Sequence, residues 1–132
     1  MILLIDTSDN AQITLILLNQ DQIKAKTWKS VSTASETLIE NIKKFLKASK
    51  ITVSDLKKLA VVVGPGHFSR IRTGVATANA MAFALKLSVV SLKKSEISDL
   101  KPLLTKKGQK QANVYYDRAP NITKAKPKKL KI

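Results

Sequence analysis

One segment in the middle of the chain restricts the possible folds more than any other. The apolar run Val61–Val63 leads into the turn Gly64-Pro65-Gly66, and an alanine-rich run with helical periodicity follows over Arg72–Leu87. A continuous apolar run is typical of a strand that is covered on both faces. Glycine and proline at its end allow a sharp change of direction. The segment therefore predicts a buried strand, a tight turn and a long helix.

The rest of the chain supplies the order of elements. Apolar runs and alternation predict three strands in residues 2–29, the third nearer the edge because its lysines discourage pairing with another sheet. An apolar stripe predicts a helix over residues 34–48, and a strand over Ser88–Leu92 precedes a weaker helix over about residues 94–104. The order β-β-β-α-β-α-β-α predicts an α/β fold with a mixed sheet of about five strands and both long helices on one face.

Charge separates the chain into parts. The net charge is +15 over 132 residues, and residues 93–132 carry 12 Lys and Arg against 3 Asp and Glu. We expect a domain at residues 1–104, a basic loop with a possible extra strand at 105–117, and a disordered lysine-rich tail at 118–132. An excess of this sign attracts polyanions such as nucleic acid. A uniformly lysine-rich composition without such a partner stays an open alternative, since 21 lysines stand against 3 arginines.

Composition also excludes some classes of site. The chain has no cysteine, which rules out disulfides and thiolate metal sites. Its first apolar run ends at Asp6, too early for a signal peptide or a membrane span, so we expect a cytoplasmic protein without membrane contact. No serine-histidine-aspartate set or carboxylate pair has a meaningful spacing. We therefore expect no catalytic residue, no metal and no cofactor.

Two features leave a functional and a structural interpretation open. The amides after Gly64-Pro65-Gly66 form a potential anion site at a helix start, although the spacing matches neither known phosphate-loop pattern, and a tight turn alone explains the glycines. Asp6 ends the first strand, where a carboxylate could serve a metal or phosphate. No glycine follows it in residues 7–11. A hydrogen bond at the strand end is the favoured interpretation of Asp6.

The alanine-rich helix carries two ridges of small residues at i, i+4 and i+8 spacing. Gly74, Ala78 and Ala82 form one ridge, and Ala76, Ala80 and Ala84 form the other. Small residues let another element approach closely. One ridge is expected to pack on the chain's own sheet, and the other to form a smooth surface for a partner.

The first strand with its Asp6-Thr7-Ser8 end, followed by the glycine-proline-glycine turn, resembles the TsaB (YeaZ) family of tRNA threonylcarbamoyladenosine biosynthesis proteins. The residues that match the family's signature loop are Gly64, Pro65, Gly66, Phe68, Arg72 and Gly74. His67, Ser69 and Arg70 depart from the family's usual serine, threonine and glycine. The resemblance covers about residues 1–92 and implies a single actin-like ATPase (ASKHA, RNase H-like) subdomain. The chain looks like a shortened member that lacks most of the second subdomain.

The resemblance also implies a function. The chain would be a non-catalytic scaffold that binds and activates a TsaD-type transferase, which modifies N6 of adenosine 37 in ANN-decoding tRNAs. A TsaE-type ATPase would assist, and a homodimer would form in the absence of the partner. The contact would use the exposed faces of the two long helices, and the residues expected there are Ser35, Ile39, Gly74, Ala78, Asn79 and Ala82.

Direct contact with tRNA would use lysines after the domain. The residues expected to contact RNA are Lys106, Lys107, Lys110, Lys124, Lys126, Lys128 and Lys129. Two other classes of function stay open: a standalone basic RNA-binding protein, and a residual actin-like ATP-binding protein. The first lacks an aromatic-rich stacking platform in the sequence. The second lacks the phosphate-loop glycines.

Overall fold

The chain folds as a five-stranded sheet with two long helices, and the computed structural model describes residues 1–29 and 34–114. The main elements in chain order are β1 (Ile2–Asp6), β2 (Gln12–Leu18), β3 (Ile23–Lys29), α1 (Ala34–Ala48), β4 (Lys58–Gly64), α2 (Phe68–Leu85) and β5 (Ser88–Lys93). Short 3-10 helices lie at Val53–Asp55, Lys94–Ser98 and Lys101–Leu104. The predicted α/β class and the order of the strands and long helices are confirmed.

The sheet is mixed, with the strand order β3-β2-β1-β4-β5. Antiparallel pairing joins β1 to β2 and β2 to β3, whereas β1, β4 and β5 run parallel to one another. Every residue of β1 is buried, as expected for an apolar strand in the centre of a sheet. The predicted edge position of the lysine-bearing strand β3 is also confirmed. The carboxyl ends of β1, β4 and β5 therefore meet at one edge of the sheet.

Two apolar layers cover the sheet. The first layer contains side chains of α1 and α2, including Leu38, Phe45 and Ile71, packed on alternate residues of β1, β2 and β4. The second layer lies on the other face, where Leu103 and its neighbours in the last two 3-10 helices cover residues such as Leu4 and Val62. Both long helices share one face, as the sequence predicted.

The helix predicted over residues 94–104 takes a different form. Two 3-10 helices replace it, because Asp99 between them adopts an extended backbone and Pro102 has no N–H to donate to an α-helical bond. The long helix α2 also begins earlier and ends earlier than predicted. It starts at Phe68 and stops before Lys86, whose positive φ of 58° ends the helical path.

Residues 105–114 return to the sheet. Gln109 and Val89 exchange two backbone hydrogen bonds of 2.8 Å, which form an isolated bridge at β5. A Cβ at Gly108 would lie 2.6 Å from the Ser88 hydroxyl, so only glycine permits this approach. The extra strand expected near 113–117 does not begin at residues 113 and 114. Residues 115–117 and the tail at 118–132 lie outside the described residues.

Candidate functional site

The glycine-proline-glycine turn connects the carboxyl end of β4 to α2 and lies against the end of β1. Gly64 has φ of 135°, a backbone conformation that favours glycine, and the peptide bond to Pro65 is cis. A Cβ on Gly66 would lie 2.7 Å from the carbonyl oxygen of Ser8 and 2.8 Å from its Cβ. Both glycines therefore have a positive φ, which is 158° at Gly66, and Gly66 in addition leaves room for the contact with Ser8.

Hydrogen bonds join the same two segments. The backbone N–H of His67 donates to the carbonyl oxygen of Ser8 over 2.8 Å. The buried Thr7 hydroxyl donates to the carbonyl oxygen of Arg70 over 2.6 Å. Gly74 packs so closely on Thr7 that a Cβ would collide with the hydroxyl oxygen. The Asp6-Thr7-Ser8 segment and the signature loop, far apart in sequence, thus form one packed unit.

Asp6 lies at the centre of this unit and is 3% exposed. One carboxylate oxygen, Oδ1, accepts hydrogen bonds from the Ser8 backbone N–H at 2.9 Å and from the Ser8 hydroxyl at 2.6 Å. The other, Oδ2, accepts from the ammonium of Lys94 at 2.6 Å. The interpretation of Asp6 as a strand-end hydrogen-bonding residue is confirmed. In α/β folds ligands bind at this edge of the sheet, but here the chain's own donors occupy both carboxylate oxygens.

The remaining loop residues divide between surface and interior. The Phe68 ring is 45% exposed, and the guanidinium of Arg72 lies 5.5 Å from its centroid. That distance is within the range of a cation–π contact. Arg70, where the TsaB family has glycine, is buried on the side of α2 that faces the sheet. Within residues 1–29 and 34–114 no group of three or more His, Cys, Asp and Glu side chains is arranged to hold a metal ion.

The inner ridge of α2, which we define as Gly74, Ala78 and Ala82, packs inside the chain. Ala78 is 0% and Ala82 1% exposed, and Gly74 lies against Thr7. The prediction that these three residues contact a partner is wrong for the folded chain, because the sheet already covers them. The sequence could not decide which ridge faces inward, since the two ridges have nearly the same composition.

The outer ridge, which we define as Ala76, Ala80 and Ala84, is exposed along its length. Phe83 lies beside it with 88% of its surface exposed, the largest exposure among the described large apolar residues. Ile39, the one described residue of the α1 partner prediction, is 42% exposed. The side chain of Ser35 lies outside the described residues.

Asn79, also predicted to contact a partner, has a role inside the chain. Its amide nitrogen donates to the carbonyl oxygen of Ala112 at 2.9 Å, and its amide oxygen accepts from the Ala112 N–H at 2.7 Å. This pair of bonds holds the returning segment against α2. Asn79 is therefore used by the chain's own fold, and because it is only half-buried, its contact with a partner stays a prediction.

The predicted RNA-contacting lysines are partly within the described structure. Lys107 and Lys110 are exposed, and the ammonium of Lys106 lies 3.5 Å from a carboxylate oxygen of Glu96 in an exposed ion pair. The backbone of this segment is held by Lys58, whose ammonium donates to the carbonyl oxygens of Leu103 and Lys106. Burial lowers the pKa of Lys58. Lys124, Lys126, Lys128 and Lys129 lie outside the described residues.

Sequence reasoning missed Lys94 as a member of the Asp6 cluster. The available signal was its position directly after β5, because the carboxyl ends of β1 and β5 meet at the same edge. A lysine there can reach a carboxylate at the end of β1 by extending across the end of β4, which lies between the two strands.

Among the helices that the structure describes, none is long and apolar enough to cross a membrane.

Comparisons with known proteins concern the fold and the family of the chain. The fold is similar to YeaZ from Pseudomonas aeruginosa, with a TM-score of 0.65 and 22% sequence identity over 70% of this chain and 43% of that one. A second structure from the same organism, of an uncharacterized protein with similarity to peptidase YEAZ, gives the same TM-score and identity over 70% of this chain and 42% of that one. The chain thus spans less than half the length of these relatives.

A search of curated proteins found no match. The family model described as TsaD, tRNA N6-adenosine threonylcarbamoyltransferase, matches residues 30–115, which is well over half of the chain. The matched range contains the signature loop, α2 and the returning segment. The chain therefore belongs to the TsaD family of tRNA N6-adenosine threonylcarbamoyltransferases.

Proposed function

We propose that the chain is a TsaB-like, non-catalytic subunit that binds a TsaD-type transferase in the synthesis of tRNA N6-threonylcarbamoyladenosine. Membership of the TsaD family and the YeaZ-like fold support a role in this pathway. The proposal concerns a chain that spans less than half of YeaZ, so the role rests on the surfaces present here.

The exposed face of α2 is the observation that carries the proposal. Phe83, 88% exposed, lies beside the outer ridge of alanines. An aromatic side chain next to a smooth ridge is a suitable anchor for a helix of another chain, because small residues allow close approach and a buried ring contributes much of the binding energy. The sequence of α2 contains no acidic residue, so its only charged groups, Arg70 and Arg72, have the same sign.

The assignment of a non-catalytic role rests on Asp6. A carboxylate whose two oxygens accept bonds from Ser8 and Lys94 has little capacity left for a metal ion or a reacting proton. No observation favours the alternative of a residual ATP-binding protein. Calorimetric titration with ATP and magnesium should therefore give no heat of binding.

In the proposed assembly the transferase performs the chemistry, a TsaE-type ATPase assists turnover, and tRNA approaches the complex with the exposed Lys106, Lys107 and Lys110 available to it. A second copy of the chain would cover the same face of α2 when the transferase is absent. We expect the transferase to replace that second copy, since both would compete for one ridge.

Size-exclusion chromatography with light scattering tests the proposal, using this chain mixed with the TsaD-type subunit of the same organism. The Ala80→Arg variant places a long charged side chain on the outer ridge, and Phe83→Ser removes the anchor. Gln22→Arg, which adds the same charge just before β3 at an exposed position, is the matched control. Circular dichroism of each variant establishes that it is folded.

We expect a 1:1 complex for the wild type and for Gln22→Arg, and loss of that complex for both ridge variants. A complex that persists with Ala80→Arg and Phe83→Ser would show that the contact lies elsewhere. If no complex forms with the wild type under any salt or nucleotide condition, the scaffold proposal fails.

A further inference from the structure

A groove between β3 and α1 combines positive charge with aromatic side chains. We call it the basic groove; its volume is about 320 Å³, and its lining residues are Lys26, Trp28, Asn41, Lys44, Phe45 and Ala48. The volume is at the lower end of the range for ligand pockets. No acidic residue lines it.

The register of the sheet explains why these residues meet. Lys26 pairs with Leu15 and Trp28 with Ile13, so both side chains lie on the face of the sheet that carries the helices. Since β3 is the edge strand, α1 covers β2 and leaves the neighbouring surface of β3 open. Lys44 and Asn41 form the opposite wall from the helix.

The lysines of the basic groove are not neutralised within the fold. Lys26 and Lys44 are exposed, and neither forms an ion pair or a hydrogen bond with any residue in the described part of the chain. Lys24, opposite Leu17 on the same face of the sheet, adds charge of the same sign, and the exposed Glu40, one turn before Lys44 on α1, offsets part of it. Such a concentration of unpaired cations attracts a polyanion.

Trp28 adds an aromatic surface and an unmet donor. Its indole N–H is buried and has no acceptor among the described residues. Buried polar groups in folded proteins nearly always have a partner, and leaving one without is costly. This donor is closed off from the groove, but Trp28 as a whole is only half-buried, so the open part of its ring can offer a face to a planar base.

We propose that the basic groove binds a single strand of RNA, with phosphates at Lys26 and Lys44 and a base against Trp28. The combination favours nucleic acid over an acidic peptide, because the carboxylates of Asp and Glu would use the lysines but offer no aromatic ring to the indole. Single-stranded nucleic acid is bound by this pairing of cations and aromatic stacking. The inference does not rest on the proposed transferase contact, which uses α2, and its test requires the chain alone.

Trp28 is the only tryptophan of the chain, so its fluorescence reports on the groove directly. The first experiment titrates the full chain with a single-stranded uridine decamer and follows both tryptophan quenching and the anisotropy of a labelled decamer. We expect the two signals to give the same dissociation constant. RNA binding by anisotropy without any change at Trp28 would overturn the proposal, as would no binding at low salt.

Matched variants then separate the groove from general charge. Lys26→Gln with Lys44→Gln removes two charges from the groove, whereas Lys57→Gln with Lys101→Gln removes two exposed charges outside it. Each phosphate contact with a single strand contributes about 0.7 to the slope of log affinity against log salt, so the groove pair should flatten the slope by about 1.4. An equal effect of both pairs would contradict a defined site.

The aromatic contribution has its own pair of variants. Trp28→Leu should weaken binding roughly five- to 150-fold, the range that corresponds to the loss of one stacked base. Trp28→Phe keeps a ring and should retain most of the affinity. A glutamate decamer serves as the peptide probe, and quenching of Trp28 by it at the same concentration as RNA would overturn the assignment to nucleic acid.

Discussion

Replacement of Gly74 by alanine tests whether contact with Thr7 or helix propensity decides stability at this position. Gly74 lies inside α2, where alanine is favoured over glycine by about 1 kcal/mol. From propensity alone, Gly74→Ala should therefore stabilise the protein. The structure predicts the opposite sign, because the added Cβ would collide with the hydroxyl oxygen of the buried Thr7.

The magnitude follows from the groups involved. Overpacking in a close-packed interior costs about 1–3 kcal/mol. Displacement of the Thr7 hydroxyl would also weaken its bond of 2.6 Å to the Arg70 carbonyl oxygen, which costs about 1 kcal/mol more. After subtraction of the propensity gain of about 1 kcal/mol, Gly74→Ala should lower the free energy of unfolding by about 1–3 kcal/mol.

Urea unfolding followed by circular dichroism measures this change. With a urea slope of about 2 kcal/mol per molar, a loss of about 2 kcal/mol lowers the midpoint by about 1 M. Ala76→Gly, at an exposed position of the same helix, calibrates propensity and should cost about 1 kcal/mol. An unchanged or higher midpoint for Gly74→Ala would refute the reasoning.

A double variant tests the cause of the loss. Thr7→Ala vacates the space that the new Cβ needs, and the Arg70 carbonyl keeps its helical bond from residue 74, so no acceptor is left unpaired. The loss in Thr7→Ala with Gly74→Ala should be smaller than the sum of the single losses by about 1 kcal/mol or more. Simple additivity would show that the collision is not the cause.

Three further expectations concern the contacts that hold the edges of the fold. Asn79→Ala removes two hydrogen bonds to Ala112 and should cost about 1–3 kcal/mol, with faster amide exchange confined to the returning segment; unchanged exchange there would contradict the role of Asn79. Lys94→Met leaves the buried Asp6 carboxylate without its ion pair, and because Lys94 is half exposed we expect a loss of about 1–3 kcal/mol by urea unfolding, whereas Asp6→Asn with Lys94→Met should lose less. The backbone N–H of Lys93 donates to the Glu96 carboxylate and holds the pKa of this carboxyl below its ordinary value. Its contribution to stability should therefore be present above about pH 4.5 and disappear as pH falls through the lower folded pKa, which carbon-detected titration of Glu96 measures.

The elements of the fold were predictable because local patterns set them. The apolar runs of β1 and β4 identify buried strands, and the lysines of β3 identify an edge. The turn at Gly64-Pro65-Gly66 marks the entry to α2. Each of these signals lies within a few residues of the element it specifies, so none requires knowledge of the rest of the chain.

The parts that sequence reasoning missed depend on contacts between distant segments. The choice between the ridges of α2 is made by Thr7, which lies 63 residues before Arg70, its hydrogen-bond partner. Asn79 was assigned to the surface because no nearby residue in the sequence is its partner. The residue that bonds to its amide, Ala112, is 33 residues away. The basic groove lies between a strand and a helix. In the sequence the lysines of each element look like ordinary solvent-exposed lysines, and only the fold brings them together.

The contacts of Asp6 connect the question of stability to that of function. A carboxylate at the carboxyl end of parallel strands is well placed for a ligand, yet in this chain Ser8 and Lys94 donate hydrogen bonds to the Asp6 carboxylate instead. The ion pair also ties β5 and the following 3-10 helix to β1, across the end of β4. The signature loop is held by separate contacts, from the Thr7 hydroxyl to the Arg70 carbonyl oxygen and from the His67 N–H to the Ser8 carbonyl oxygen, so residues 6–8 contribute both to the Asp6 cluster and to the support of α2. We therefore interpret the loop as a rigid support for α2, whose outer ridge with Phe83 is the surface proposed above for a partner.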